Sequence, residues 1–284
     1  MAPDIWFPNL GIELPNVSRI AFSVFGFSIY WYAVFIILGI LAAYGAALIE
    51  VNRTSQNRQD YSDILFFGLP LVLVGLRLFY VAFNWDLFSD NPIRIITGIR
   101  DGGLAIFGGI LTAIVWVFAF SYKRGLNPWF VLDVGAPSFA LGQAIGRFGN
   151  FVNREAFGGF TDNILAMRIV RDQTNMPLTP DILDNTIIYQ GVEYIQVHPA
   201  FLYESLWNFG LFAALTIYRP RKKFNGQVFW LYLLGYGFAR FFIEGLRTDQ
   251  LMMGVIPVSQ MMAAVIFIAA LFAIASKKLL YLRS

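Results

Sequence analysis

The stretch from Phe22 to Ile49, FSVFGFSIYWYAVFIILGILAAYGAALI, contains no charged residue. A helix that crosses a bilayer needs roughly 20 mainly apolar residues, so this window is long enough to span a membrane. Working outward from it, three more windows read the same way: Ile64 to Trp85 with only Arg77, Gly102 to Tyr122 with no charge, and Gln250 to Ser276 with none. Three further windows of spanning length carry one charge each: Gly125 to Gly146 with Asp133, Pro199 to Tyr218 with Glu204, and Phe224 to Ile243 with Arg240. The composition agrees. Only 14% of the 284 residues are charged and 57% are hydrophobic, with a mean hydropathy of +0.60, whereas a soluble domain carries about a quarter charged residues. The expected fold class is therefore an all-α polytopic membrane protein with seven transmembrane helices.

The first residues, Met1 to Ile20, lack a basic start followed by a short apolar core and include Pro3, Pro8, Pro15, Asp4 and Glu13, which argues against a cleavable signal peptide. Orientation follows from Lys and Arg in the connections, which favour the cytoplasmic side. Alternate connections hold Arg53, Arg58, Lys123, Arg124, Arg219, Arg221, Lys222, Lys223, Lys277, Lys278 and Arg283 on one side, against Arg19, Arg94, Arg100, Arg147, Arg154, Arg168, Arg171 and Arg247 on the other. The amino terminus is expected outside and the carboxyl terminus in the cytoplasm. On this reading residues 1–284 form a single integral membrane domain. The long connection 147–198, with β-branched runs at Ala166–Val170, Thr186–Tyr189 and Tyr194–Val197, is an extracytoplasmic head of short strands and loops inserted between the fourth and fifth spans.

The net charge of +3 is too small a basic excess to point to nucleic acid. Without cysteine there is no disulfide, thiolate metal site or thiol nucleophile in the chain. With a single His and no carboxylate cluster at ligand spacing, no metal site is expected. Patterns of the Gly-X-Ser-X-Gly, His-Glu-X-X-His and phosphate-loop kinds are missing from the sequence.

The informative residues are the ionisable ones in apolar windows, because each costs about 2.5 to 3.5 kcal/mol to insert and so tends to face a cavity or a partner. They are Arg77, Asp133, Glu204, Arg240 and Glu244. Arg240, Glu244 and Arg247 fall at i, i+4 and i+7, on one helical face. The plainer alternative is a self-neutralising Arg240–Glu244 pair, which leaves Arg247 over for an external anion. The densest polar cluster runs from Gly146 to Gly159, GRFGNFVNREAFGG. Arg147 supplies a planar fork suited to phosphate, Asn150 and Asn153 add neutral donors, Glu155 adds a carboxylate, and Gly149 allows close backbone approach. A snorkelling interfacial arginine would account for Arg147 and the glycines but not for two Asn and a Glu beside them. The paired glycines Gly102, Gly103, Gly108 and Gly109 read from this segment alone as a helix-packing surface. His198, before Pro199, reads more simply as a hydrogen-bonding cap than as a catalyst.

The run Gly146 to Gly158 resembles throughout the signature Gly-Arg-X-Gly-Asn-Phe-X-Asn-X-Glu-X-X-Gly of the prolipoprotein diacylglyceryl transferases, a match long enough to be specific. The resemblance extends to Trp31-Tyr32, Arg77, the paired glycines, Asp133, His198-Pro199, Leu202-Tyr203-Glu204 and the Arg240, Glu244, Arg247 face. It implies a seven-span enzyme of the bacterial plasma membrane with an outward-facing site. Its partners would be phosphatidylglycerol, a prolipoprotein signal peptide with its lipobox cysteine, and membrane lipids. It would transfer the diacylglyceryl group to the cysteine thiol, form a thioether and release a glycerol phosphate, with no cofactor and no metal. The expected catalytic residues are Arg147, Arg240 and Tyr32, at positions that the resemblance ties to lipid binding and catalysis, with Glu244 and His198 as candidate proton acceptors. Asn150, Asn153, Glu155, Gly158, Arg247, Gly103 and Gly108 are the expected substrate-binding ones. Some members carry a His in the double-glycine segment, proposed as the base that activates the cysteine; this chain has Phe107 there. The proton then goes to His198, Glu244 or Tyr32, or the thiol is ionised by the field of the arginines. A lipid or anion transporter is the competing reading, since intramembrane Arg and Glu also line transport paths.

Overall fold

The computed structural model describes residues 2–98, 102–250, 252–254 and 256–283. Among them the long helices are α1 (Trp31–Arg53), α2 (Arg58–Phe83), α4 (Ile106–Arg124), α5 (Pro128–Asn153), α7 (Ala200–Tyr218), α8 (Gln227–Leu246) and α9 (Val258–Arg283), with α3 (Arg94–Thr97) and α6 (Pro180–Asp184) as short turns between them. Five stretches, Trp31–Arg53, Arg58–Phe83, Ile106–Arg124, Ala200–Arg221 and Val258–Lys277, are long and apolar enough to cross a membrane. The fold is thus predominantly helical, with five candidate spans. α5 and α8 have comparable length, 26 and 20 residues, but interleave polar and charged side chains, Asp133, Gln143 and Arg147 in one and Arg240 and Glu244 in the other.

The window that opened the sequence reading is only partly helical. Its first third is a hairpin of β3 (Ile20–Val24) and β4 (Phe27–Tyr30), antiparallel with Val24 opposite Phe27. Ser23 and Ser28 alternate there with aromatic and β-branched residues, a period-two pattern. Phe25 and Gly26, at φ 49° and 81°, make the two-residue turn. Apolarity alone does not distinguish such a ribbon from a helix. Similarly, α4 starts at Ile106 rather than Gly102, because Gly102 and Gly103 take positive φ of 98° and 73°. The last window opens not on helix but on the small ladder of β8 (Met252–Met253) and β9 (Ile256–Pro257).

The chain divides into two compact units, 1–45 with 135–284, and 46–134. In the first, a five-stranded antiparallel sheet has the order β2-β1-β5-β7-β6, with β1 (Ile5–Phe7), β2 (Ile12–Leu14), β5 (Met167–Val170), β6 (Ile187–Tyr189) and β7 (Val192–Val197). Ile5 pairs with Ile169, and Ile169 with Ile195, so the three side chains line up on one face. All three are fully buried, in a core with Phe157, Met167, Val197 and Phe201. The three strands expected in the connection are present. The other two, β1 and β2, come from the amino-terminal residues. Residues 147–153 of the expected head instead continue α5. Below the sheet Gly39 of α1 faces Gly142 of α5, where an added Cβ would stand 2.9 Å from the Gly142 carbonyl oxygen. Side chains of any size would part the two helices.

In the second unit α2 packs along α4. A Cβ on Gly108 would lie 2.3 Å from the Gly75 carbonyl oxygen, and Trp116 of α4 donates its indole N–H to the Ile64 carbonyl at 2.9 Å. The buried Arg77 guanidinium is spent on backbone, donating to the carbonyls of Arg94, Ile95, Gly102 and Gly103 at 2.8 to 3.0 Å and lying over the Phe88 ring.

Candidate active site

Four ionised side chains from α5, α7 and α8 meet in the first unit. Arg147 Nη2 lies 2.6 Å from Glu204 Oε2. Arg240 Nη1 donates to Glu204 Oε1 at 3.0 Å, and Arg240 Nη2 is 2.6 Å from Glu244 Oε2 as an ion pair without hydrogen-bond alignment. The helices place these groups simply. Arg240 and Glu244 are one turn apart on α8, so the pair forms along one face as expected. Glu204 is on the first turns of α7 and is buried, as is Glu244. The two arginine side chains keep 22% and 16% of their surface, against 6% and 4% for the two carboxylates. The two arginine side chains are therefore the less buried members of the cluster.

Polar contact continues from Arg147 along the end of α5. Arg147 Nη1 reaches Asn150 Oδ1 at 3.4 Å, Asn150 donates to Glu155 Oε1 at 2.9 Å, and Asn153 donates to the same oxygen at 3.2 Å. Glu155 folds back on the helix because Arg154 and Ala156, on either side of it, take positive φ of 55° and 56°. Non-glycine residues seldom adopt that conformation. Arg154 is held in it by donating to the Val152 and Val17 carbonyls and by lying 3.6 Å from Asp4. Glu155 thus serves the two asparagines rather than Arg147. Tyr32, at the start of α1, lies against Gly149, where an added Cβ would stand 2.7 Å from the ring. With Arg19, Tyr30, Asn153, Arg154, Glu155, Asn175 and Met176 it lines a cavity of about 420 Å³.

Gly158 is a junction. Its N–H donates to the His198 carbonyl at 3.0 Å, the Gly159 N–H donates to Leu246 at 2.9 Å, and Gly158 forms a β-bridge with Arg247. The end of α8 and the start of α7 are thereby tied to one turn. The His198 ring meets the Tyr203 hydroxyl at 3.1 Å, and Asn163 donates to that hydroxyl at 3.0 Å. Burial pushes the imidazole below its ordinary value. His198 thus holds the Tyr203 side chain rather than capping α7 through its ring.

Arg247 corrects the sequence reading. Helix α8 ends at Leu246, so Arg247 is extended and turns onto Asp249, donating Nε and Nη2 to the two carboxylate oxygens at 2.9 and 2.6 Å. It is not left over for an external anion. Burial alone would raise the Asp249 carboxyl, but the Arg247 bonds and charge overcome this and hold it below the usual carboxylate range. Gly103 and Gly108 belong to the second unit. Gly103 stands beside Arg77 and Tyr80, and Gly108 takes the close packing described above. Phe107, half exposed, is in the first turn of α4. Sequence reasoning named Glu204 as an intramembrane charge but not as a site residue; its place within an otherwise uncharged window was the available signal. Asp249 gave none beyond its nearness to Arg247.

The fold and the site define a helical membrane protein in which two arginine forks converge, the arrangement that holds an anion with two terminal oxygens. Residues 19–276 match the family described as prolipoprotein diacylglyceryl transferase. Over 254 residues the chain is 42% identical to the phosphatidylglycerol--prolipoprotein diacylglyceryl transferase of Finegoldia magna, covering 89% of this chain and 93% of that one. Over 268 residues it is 39% identical to the protein of the same name from Bacillus mycoides and 38% identical to that from Bacillus cereus, covering 94% of this chain and 95% of each relative. The chain belongs to the prolipoprotein diacylglyceryl transferase family, and is a transferase.

Proposed function

We propose that the chain transfers the diacylglyceryl group of phosphatidylglycerol to the lipobox cysteine of a prolipoprotein, with Arg147 and Arg240 as the phosphate clamp. The observation that carries this reading is that both guanidinium groups reach one carboxylate, Glu204, which brings their forks within a few ångströms of a common point. In the reaction the cysteine thiolate attacks the glyceryl carbon that bears the phosphate. A carbon–sulfur bond forms, the carbon–oxygen bond breaks, and its electron pair leaves with a glycerol phosphate. The phosphodiester monoanion becomes a monoester dianion, so negative charge grows on oxygens facing the two forks. Preorganised donors at such a point are worth roughly 3 to 4 kcal/mol each in a site that excludes water. Asn153 and Glu155 line the cavity that Tyr32 borders, where glycerol hydroxyls can be oriented, and Asn150 links Glu155 to Arg147.

In this reading α5 and α8 complete seven spans in one integral membrane domain of the bacterial plasma membrane. The amino terminus and the sheet lie outside, and the Arg219 to Lys223 connection lies in the cytoplasm. The reaction is tested with purified protein, labelled phosphatidylglycerol and a lipobox peptide. Label in the peptide, dependent on its cysteine, is expected; no transfer from phosphatidylglycerol would reject the assignment.

A further inference from the structure

Glu204 has no direct task in the chemistry just described, yet it is the only group that touches both arginines of the clamp among the described residues. We infer that Glu204 is a positioning residue: it locks Arg147 and Arg240 at one spacing and tempers their charge, acting on the lipid through the two arginines. The inference rests on the proposed reaction.

Three observations carry it. One oxygen of Glu204 takes each guanidinium, at 2.6 and 3.0 Å, so a single side chain on α7 sets the spacing between a residue of α5 and a residue of α8. Two arginines at this separation would otherwise repel and splay. The carboxylate is almost closed off, while the two arginine side chains keep 22% and 16% of their surface. Glu204 therefore occupies the point where the two guanidinium groups meet and fixes their spacing. The charges also matter. Glu204 and Glu244 balance Arg147 and Arg240, so the arriving phosphodiester meets an ordered but neutral cluster. A mere neutraliser for Arg240 is already present in Glu244, which leaves the bridging geometry as the distinctive contribution of Glu204.

This arrangement makes an unusual prediction for Glu204→Gln. Removing one negative charge leaves the cluster net positive, so the anionic lipid should be held more tightly while the forks lose their common anchor. The experiment uses the full-length protein in bilayer discs, with binding of phosphatidylglycerol measured against neutral diacylglycerol and initial rates measured with a lipobox peptide. We expect phosphatidylglycerol to bind at least about threefold tighter, diacylglycerol binding to be unchanged, and kcat to fall at least about thirtyfold. In an Arg147→Lys background the same change should cost no more than about threefold further, because Glu204 acts through that arginine. A kcat within about threefold of wild type, weaker phosphatidylglycerol binding, or losses that multiply in the double variant would each overturn the inference. Should Glu204→Gln fail to accumulate folded, Glu204→Asp keeps the charge but is one methylene too short to reach both forks. It should then leave lipid binding unchanged and lower kcat about tenfold, and an unaltered kcat would overturn the inference. If the wild type transfers nothing, the reaction is wrong, and the binding arm still decides the role of Glu204.

Discussion

Gly158→Ala probes whether the turn that ends the signature run positions the site through the backbone. An added Cβ would stand 2.8 Å from His198 Cβ and 2.8 Å from the Leu246 carbonyl oxygen. Comfortable carbon contacts begin near 3.5 Å, so the neighbours must yield by about 0.7 Å. Neither is the far end of a flexible side chain. One is backbone and the other is the Cβ fixed directly to backbone, at residues that Gly158 and Gly159 hold by hydrogen bonds of 3.0 and 2.9 Å; just beyond His198 begins α7 with Glu204, and just before Leu246 lie Arg240 and Glu244 of α8. Overpacking of this kind costs about 1 to 3 kcal/mol, and a misplacement near 1 Å in a reacting constellation costs about a hundredfold in rate. We therefore expect Gly158→Ala to lower transfer about a hundredfold while the protein still folds with a reduced melting temperature. Gly159→Ala is the control, since nothing lies within 4 Å of its added Cβ, and it should behave as wild type. The assay is transfer from phosphatidylglycerol to a lipobox peptide, alongside melting in detergent. A Gly158→Ala protein with wild-type rate and melting would show that the junction does not govern the site.

Arg147→Lys and Arg240→Lys should each lose most transfer at saturating lipid, about a hundredfold, because lysine keeps the charge but not the planar fork; near wild-type rates for both would reject the clamp. For His198, burial places the folded pKa below the unfolded one. Its contribution to stability is then full above the unfolded value of about pH 6.5 and is lost as pH falls from there through the lower folded value, because the unfolded state takes up the proton first. Melting of His198→Gln should vary less than wild type between about pH 7 and 5, and transfer should remain measurable; folded, lipid-binding His198→Gln without transfer at any pH would make the imidazole the base. The cysteine-free background allows a topology test in intact cells. An impermeant thiol reagent should label Asp172→Cys and spare Lys222→Cys, and the reverse pattern would invert the orientation.

The balanced cluster bears on how the cysteine is activated. An unopposed arginine field was one candidate for ionising the thiol, since Phe107 in the double-glycine segment cannot take a proton. Glu204 and Glu244 offset that field in the resting protein. Whatever net positive potential the thiol meets must then come from how the four charges are disposed, the arginine side chains being less buried than the carboxylates.

What could be read from the amino acids was whatever depends on composition and local period. Long uncharged windows announce membrane helices because lipid excludes charge, and the Gly146 to Gly158 run announces its family because the motif is contiguous. The Arg240–Glu244 pair was legible for the same reason, since one helical turn joins the two residues. Only the tertiary structure decided matters that depend on partners far apart in sequence. Strands β1 and β2 have three residues each; β1 is held in the sheet by β5, more than 150 positions away, and β2 joins it only through β1, so such short runs carry little local signal. The hairpin at 20–30 was hidden because an apolar stretch satisfies lipid as ribbon or helix, and its turn conformation alone separates the two. Arg247 was misread because a helical wheel continues past the point where the helix stops. The role of Glu204 was invisible for the most general reason: a carboxylate's partners are set by where α5, α7 and α8 bring their side chains together, and that is a property of packing rather than of spacing along the chain.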